Sequence, residues 1–149
     1  MKNLLLKKSL IATLAVSMFM LVGCSKEKMA AKKIEGDWNA TSVTIDDEDV
    51  LIDGVTIKIE FEEYNDHEGD VDFTFIINIE DGEESIHQTQ NIPGEYTINK
   101  DADEIEFDFG VFGKFDSDFD LEKDDLELEF TSMFLTSENA HWVIKAKRD

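Results

Sequence analysis

The fold is decided by the stretch VTIKIEFEEYNDHEGDVDFTFIINI, residues 55–79. Apolar and polar side chains alternate over residues 55–61 and again over residues 71–79. A period of two places apolar side chains on one face of a β-strand and polar side chains on the other. Gly69 and its acidic neighbours separate the two runs and are typical of a turn. The stretch therefore predicts two antiparallel strands, each with one buried and one solvated face.

The same alternation continues through the rest of the chain from residue 34 onward. The predicted strands cover residues 36–45, 55–61, 71–79, 86–92, 96–98, 105–109, 115–121, 126–130 and 142–146. Turn residues separate them at 53–54, 68–70, 81–82, 93–94, 100–103 and 123–125. Connections this short leave no room for crossover helices, so we expect an antiparallel meander that forms a barrel or a sandwich. Only residues 131–138 allow a helical turn, and they fit a bent strand equally well.

Charge and composition limit the function classes. The 149 residues suffice for one globular domain, and 42% of them are hydrophobic. The chain has 35 acidic and 14 basic residues, which gives a formal net charge of -21. A surface this negative repels phosphate backbones, so we expect no nucleic-acid partner.

The amino terminus has the layout of a secretory signal. Lys2, Lys7 and Lys8 precede an uncharged and mostly apolar run at residues 9–22. A bilayer-spanning helix needs about 20 apolar residues, so this run is too short for a permanent span. The run ends in Leu21-Val22-Gly23-Cys24, which resembles the lipobox of bacterial lipoproteins.

The lipobox resemblance implies a signal peptide at residues 1–23 and a diacylglycerol thioether on Cys24, the chain's one cysteine. The attached acyl chains would anchor the protein to a membrane, since each buried methylene contributes about 0.8 kcal/mol. Residues 24–33 are predicted to form a lipidated linker whose lysines contact headgroups or, as we favour, are solvated. Cleavage removes three lysines and no acid, so the net charge becomes -24. Self-repulsion at that charge favours a monomer.

The barrel domain is predicted at residues 34–149 and begins with Gly36-Asp37-Trp38. This resembles the Gly-x-Trp signature of lipocalins, in which the tryptophan plugs the closed end of an eight-stranded barrel. A basic residue on the last strand packs across it in that family, and Lys145, Lys147 and Arg148 are available.

The whole arrangement of lipobox, short linker, Gly-x-Trp and meander resembles the small lipocalin-like lipoproteins of the Bacteroidota. The resemblance implies an all-β fold, an antiparallel meander closing into a lipocalin-like barrel of about eight strands. It also implies a cell-envelope protein, lipid-anchored to the outer membrane and either periplasmic or surface-exposed.

An eight-stranded barrel has an interior that side chains fill or that holds one small molecule. Inward-facing aromatic residues and three inward polar residues are the candidate ligand contacts. These candidates are Tyr96, Gln88, Gln90, Ser117, Phe107 and Phe119. The alternatives are that the aromatic side chains simply fill the core and that the polar ones lie at a rim or edge strand.

Metal binding and catalysis have weaker support. Asp116, Asp118 and Asp120 have the spacing that opens an EF-hand loop, but Leu121 stands where the loop needs glycine. On a strand these aspartates form an acidic outer face that attracts cations only loosely. No catalytic motif is present in the sequence, so we expect no catalytic residue, no metal site and no cofactor besides the lipid.

These observations predict a non-enzymatic, membrane-anchored binding module for a small apolar or amphipathic ligand. One alternative is a structural or surface-interaction lipoprotein with a filled core and no small ligand. The other is an acidic cation-binding protein.

Overall fold

The computed structural model of the protein describes residues 25–65, 67–81 and 84–149. The predicted signal peptide and lipidated Cys24 lie outside these residues. One α-helix, α1 (Lys26–Ile34), precedes the strands. The strands are β1 (Gly36–Ile45), β2 (Glu48–Asp49), β3 (Val55–Phe61), β4 (Gly69–Asp81), β5 (Glu84–Ile98), β6 (Glu104–Asp108), β7 (Lys114–Glu122), β8 (Asp125–Ser132) and β9 (Ala140–Arg148). A 3-10 helix, Gly110–Phe112, joins β6 to β7.

The strands form an eight-stranded antiparallel barrel. Strands β1 and β3 to β9 pair in sequence order, and β9 also pairs with β1, which closes the barrel. The two-residue strand β2 is an addition that pairs with the end of β1. The predicted fold class, an antiparallel meander closing into a lipocalin-like barrel, is therefore confirmed.

The period of two in the sequence matches the burial observed along the strands. In β3, for example, Ile57, Ile59 and Phe61 are buried, and the residues between them are exposed. We call the end that carries α1 and the β3–β4, β5–β6 and β7–β8 connections the closed end. The open end carries β2 and the β4–β5, β6–β7 and β8–β9 connections.

The predicted turn at Pro93-Gly94 is wrong. The two strands predicted at residues 86–92 and 96–98 are one continuous strand, β5, which runs through both residues. Gly94 fits because a Cβ there would lie 2.4 Å from Cδ1 of Phe109, so only glycine lets that ring cover the strand. Proline is tolerated where a strand edge has no partner, because no ladder hydrogen bond is lost.

Most of the predicted linker is helical, because residues 26–34 form α1. The Ser25 hydroxyl caps this helix by accepting a hydrogen bond from the Lys28 amide at 3.3 Å. Ala31 and Ile34 are buried against the barrel, and Lys33 lies in the last turn, where a cation suits the helix dipole. So short a helix shows too few apolar positions for its period to be seen in the sequence.

Of residues 131–138, which the sequence left open between a helical turn and a bent strand, residues 131–132 end strand β8 and residues 133–138 form neither. Strand β8 ends at Ser132, and the chain continues through turns to Ala140. This connection lies at the open end and inserts one side chain, Phe134, into the barrel.

Candidate functional site

The interior of the barrel is occupied by aromatic side chains. Tyr96 and Phe107, two of the predicted ligand contacts, have no solvent exposure. The Tyr96 ring lies 5.1 Å from the Phe61 ring, and the Phe107 ring lies 6.0 Å from the Phe73 ring. Centroid separations in this range are those of packed aromatic pairs. Both residues therefore lie in a packed core.

Tyr96 is held at the closed end of this core by its hydroxyl. The hydroxyl donates to the carbonyl oxygen of Glu62 at 3.1 Å. Burial raises the pKa of Tyr96 well above its ordinary value, so the phenol stays protonated. A neutral phenol with its donor already used does not favour polar ligand chemistry at this position.

Phe134 fills the core from the open end. Its side chain has no solvent exposure, and its ring centroid lies 4.9 Å from that of Phe109 and 5.7 Å from that of Phe73. The hydroxyl of Ser132 accepts a hydrogen bond from the Phe134 amide at 3.1 Å, which fixes the start of the loop. The loop that connects β8 and β9 thus acts as a plug.

The three predicted polar contacts do not form one site with the aromatic residues. Ser117 is buried, and its hydroxyl donates within the barrel wall to the carbonyl oxygens of Asp118 at 2.9 Å and Glu129 at 3.3 Å. Gln88 and Gln90 are exposed, on a part of β5 that has no strand partner on one side among residues 25–65, 67–81 and 84–149. These two glutamines therefore lie on a strand edge, the location that the sequence offered as the alternative to ligand contact.

Phe119, the last predicted contact, is half-buried near the closed end. It lines an open depression of about 290 Å³ between α1 and β7, together with Met29 and Lys33. The predicted contacts are therefore spread over the core, the wall, the β5 edge and the α1 contact.

One buried side-chain polar atom is unsatisfied among the described residues. The indole Nε1 of Trp142 is buried and has no hydrogen-bond partner there. Its ring stacks on Phe130 at 5.8 Å, with the two planes 10° apart. A buried donor without a hydrogen-bond partner costs about 1–3 kcal/mol of stability. A hydrogen-bond acceptor that reached this nitrogen would recover that cost.

At the closed end, Arg148 packs across Trp38. The guanidinium carbon lies 4.4 Å from the centre of the indole, and the Trp38 Nε1 donates to the Ile34 carbonyl oxygen at 2.7 Å. Arg148 also donates to the carbonyl oxygens of Glu35, at 2.7 Å, and Lys33. Of the three basic residues that the sequence offered, Arg148 is the one that occupies this position.

A second contact holds the start of α1 and was not predicted. The Glu27 carboxylate lies 2.9 Å from both the Tyr64 hydroxyl and Nδ1 of His67, on the β3–β4 connection. The hydrogen bond from His67, against the opposing effect of burial, lowers the pKa of Glu27. Tyr64 accepts from the Ile98 amide at 3.2 Å, so the contact extends into β5. These side chains are far apart in sequence, and no motif marks them.

The outer face of β6, β7 and β8 is acidic, as predicted. Glu104 lies opposite Asp118, Glu106 lies opposite Asp116, and Asp118 also lies opposite Glu129. Four of these side chains line an open depression of about 280 Å³: Glu104, Asp116, Asp118 and Glu129. Within residues 25–65, 67–81 and 84–149, no three His, Cys, Asp or Glu side chains are grouped so as to hold a metal ion.

Like charges also meet across β1, β3 and β4. Glu60 lies opposite Asp37 on one side and Asp72 on the other. Asp37 in particular raises the pKa of Glu60. The acidic surface therefore repels itself at several places around the barrel.

Neither α1 nor the 3-10 segment, the helices of the described residues, has the length and apolar content to span a membrane. No protein-family model and no curated protein matches this sequence.

Proposed function

We propose that this protein is a lipid-anchored protein of the cell envelope that acts through contacts on its surface and carries no small molecule. The filled core is the observation that supports this proposal. A chain of aromatic contacts begins at Tyr96 near the closed end and reaches Phe134 at the open end, through Phe61, Phe107 and Phe109. A carrier of small ligands needs space that these rings occupy.

The anchor is proposed from the sequence around Cys24. The described part of the chain begins at Ser25, which caps α1, and α1 is packed against the barrel. A lipid on Cys24 would therefore attach one residue before a folded element. The closed end of the barrel would lie near the membrane, and the open end would face away from it.

The second candidate function is binding of one small apolar molecule, and the unsatisfied Trp142 Nε1 favours it. Such a ligand would have to displace the Phe134 plug to reach the core. Its acceptor atom would then pair with the indole N–H. This candidate makes a different prediction for the mass of the purified protein.

Native mass spectrometry of the full-length protein, purified from its host in a mild non-ionic detergent, tests both candidates. We expect the mass of the processed polypeptide with its covalent lipid and nothing else. A discrete further mass that disappears on denaturation would overturn the filled-core proposal in favour of the small-ligand candidate. The Phe134→Ala variant, which opens space beside the core, is the matched control for detecting bound apolar compounds.

The anchor is tested by the intact mass under denaturing conditions. We expect loss of residues 1–23, a covalent lipid on Cys24, and partition of the protein into the detergent phase. The Cys24→Ser variant should carry no lipid. Recovery of the wild-type protein with an unmodified Cys24 would overturn the anchor without bearing on the core.

A further inference from the structure

Strand β5 has a long free edge. It contains 15 residues, but β6 pairs only with its last part, from the Glu95 and Asp108 pair to the Ile98 and Ile105 pair. In the part of the chain that the structure describes, no strand pairs with the outer edge of β5 over residues 84–94. At Gly110–Phe112 the chain turns away into β7. Beside the open end, β5 therefore extends past β6, and its outer backbone edge has no strand partner among the described residues.

The register shows which backbone groups face this free edge. Pro93 lies opposite Asp72 of β4, and proline has no N–H to give to a ladder. In an antiparallel pair, bonded and non-bonded positions alternate, so the odd-numbered residues of this stretch direct their N–H and C=O groups away from β4. Asn99, which has the same parity, donates its backbone N–H to the carbonyl oxygen of Glu104 in β6 at 3.0 Å. His87, Thr89 and Asn91 therefore present backbone donors and acceptors to solvent, and all three residues are exposed.

This edge lacks the charged side chains that usually protect an exposed strand. Residues 85–94 contain no Asp, Glu, Lys or Arg, and neither do residues 73–79 of β4, against which they pair. Exposed strand edges template pairing with another chain unless charge, proline or a covering element prevents it. Pro93 guards only the end that is nearest to β6. The remaining edge is open to an added strand.

The charge of the molecule determines what kind of strand fits. A formal net charge of -21 repels a second copy of this chain and attracts a basic segment. Where β6 pairing ends, Asp70, Glu95 and Asp108 line an open depression of about 350 Å³. Lys114, which lies opposite Asp108, instead pairs its amine with Glu106 at 2.8 Å. These carboxylates would neutralise lysine or arginine side chains of an incoming strand.

We propose that the free edge of β5 is a docking site at which an extended basic segment of another protein adds as a further strand of the barrel wall. The apolar side chains of the segment would face inward beside Ile86, which is 55% exposed. Its basic side chains would face outward. The inference rests on the proposed surface-interaction function and names the partner class for it.

The test uses full-length protein in non-ionic detergent and a synthetic nine-residue peptide of alternating lysine and valine. Binding is followed by fluorescence anisotropy, and hydrogen exchange is followed at the backbone amides. We expect saturable binding and about tenfold slower exchange at the amides of His87, Thr89 and Asn91. A glutamate-valine peptide of the same pattern should not bind.

Two controls separate strand addition from electrostatic adsorption. A lysine-valine peptide with alternate amides N-methylated keeps the charge but loses one hydrogen-bonding edge, and it should bind about tenfold more weakly. Thr89→Pro removes one free-edge donor of the protein and should weaken binding, whereas Thr89→Val keeps that donor and should not. The unfolding midpoint of each variant shows whether it is still folded. The methylated peptide tests the need for backbone hydrogen bonds without any mutation of the protein.

Equal binding of both lysine-valine peptides without protection of the β5 amides would overturn the inference in favour of adsorption to the acidic faces. Sedimentation of the protein alone as a dimer with protected β5 amides would overturn it in favour of a second copy. Absence of binding by the lysine-valine peptide would overturn the docking inference but would leave the filled-core proposal intact. A bound small molecule detected by native mass spectrometry would overturn the proposed function, whether or not the peptide binds.

Discussion

Arg148 joins α1, Trp38 and the last strand, so its replacement tests the closed end at the scale of one residue. The Arg148→Ala variant loses the stacking on the indole and the donors to the Lys33 and Glu35 carbonyl oxygens. We expect the free energy of unfolding to fall by about 1–3 kcal/mol. Urea unfolding followed by tryptophan fluorescence measures this change.

Two matched variants serve as controls for Arg148→Ala. Arg148→Lys keeps the charge but not the planar fork, and it should recover less than half of the loss. Lys147→Ala removes the neighbouring exposed pair with Asp125, whose atoms are 3.6 Å apart, and should change stability by less than about 0.5 kcal/mol. Equal effects of the Arg148→Ala and Lys147→Ala variants would contradict the role assigned to the guanidinium.

Phe134 is the second residue on which the filled core depends. Phe134→Ala removes a fully buried ring that packs on Phe73, Phe109 and Phe115, among other rings. We expect a loss of about 3–5 kcal/mol in the free energy of unfolding. Met133→Ala, beside it on the same loop and 59% exposed, should stay within about 0.5 kcal/mol. Equal losses in a denaturant titration would mean that the loop as a whole, and not the ring, closes the barrel.

At the scale of an element, the course of β5 depends on Gly94. A Cβ at this position would meet Phe109 at 2.4 Å and the Asp108 carbonyl oxygen at 2.8 Å, so Gly94→Ala must displace the ring or the strand. We expect a loss of about 1–3 kcal/mol in thermal or urea unfolding. Pro93→Ala should cost less than about 1 kcal/mol, because the proline is exposed and its strand edge has no partner in the part of the chain that the structure describes. A turn at these residues would reverse the order of the two effects.

The docking of α1 predicts a specific dependence on pH. The hydrogen bond from His67 lowers the folded-state pKa of Glu27 below its ordinary value of 4.5. The stabilisation is therefore fully present above about 4.5 and is lost as the pH falls through the lowered folded-state pKa. In urea unfolding at a series of pH values, Glu27→Gln should be about 1 kcal/mol less stable than wild type at neutral pH. That difference should shrink in acid.

Glu63→Gln is the control for Glu27→Gln, because Glu63 is exposed on the same β3–β4 connection that Glu27 contacts. Its stability difference from wild type should be smaller and should not follow the same pH course. A Glu27→Gln difference that stays constant from neutral pH to acid would mean that the carboxylate charge does not hold the helix.

The elements differ in how far the sequence could predict them. Alternation located the strands, and the resemblance at Gly36 and Trp38 favoured a closed barrel, which pattern alone could not separate from a sandwich. The alternation through Trp142 and Ile144 also places Arg148 on the inward face. The sequence could therefore have identified Arg148 as the basic residue that packs across Trp38. The turn predicted at Pro93-Gly94 was wrong because tertiary packing overrode the preference of this dipeptide for turns. The Phe109 ring packs against Gly94, and this contact cannot be seen in the local sequence.

At the scale of the whole molecule, the excess of acidic residues brings carboxylates close to one another. The chain has 35 acidic residues, and Asp118 faces Glu104 on one neighbouring strand and Glu129 on the other. Facing like charges destabilise a sheet by tenths of a kcal/mol per pair, and salt screens exposed charges. The thermal unfolding midpoint of the wild-type protein should therefore rise as sodium chloride is increased from about 50 mM to about 500 mM.

Asp118→Asn isolates this repulsion at one position. Removing the central charge of the Glu104–Asp118–Glu129 row should stabilise the protein by about 0.2–1 kcal/mol at low salt, and the gain should fade as salt rises. Asp124→Asn, beside Lys123 at 3.3 Å, removes a charge that already has a basic neighbour and should bring no such gain. If calcium stabilises the wild type strongly and Asp118→Asn removes that effect, the carboxylates act together on a cation. A midpoint that rises with sodium chloride and is indifferent to calcium at equal ionic strength means that the face is diffuse negative charge. Such a face would attract the basic partner proposed for the β5 edge and would repel a second copy.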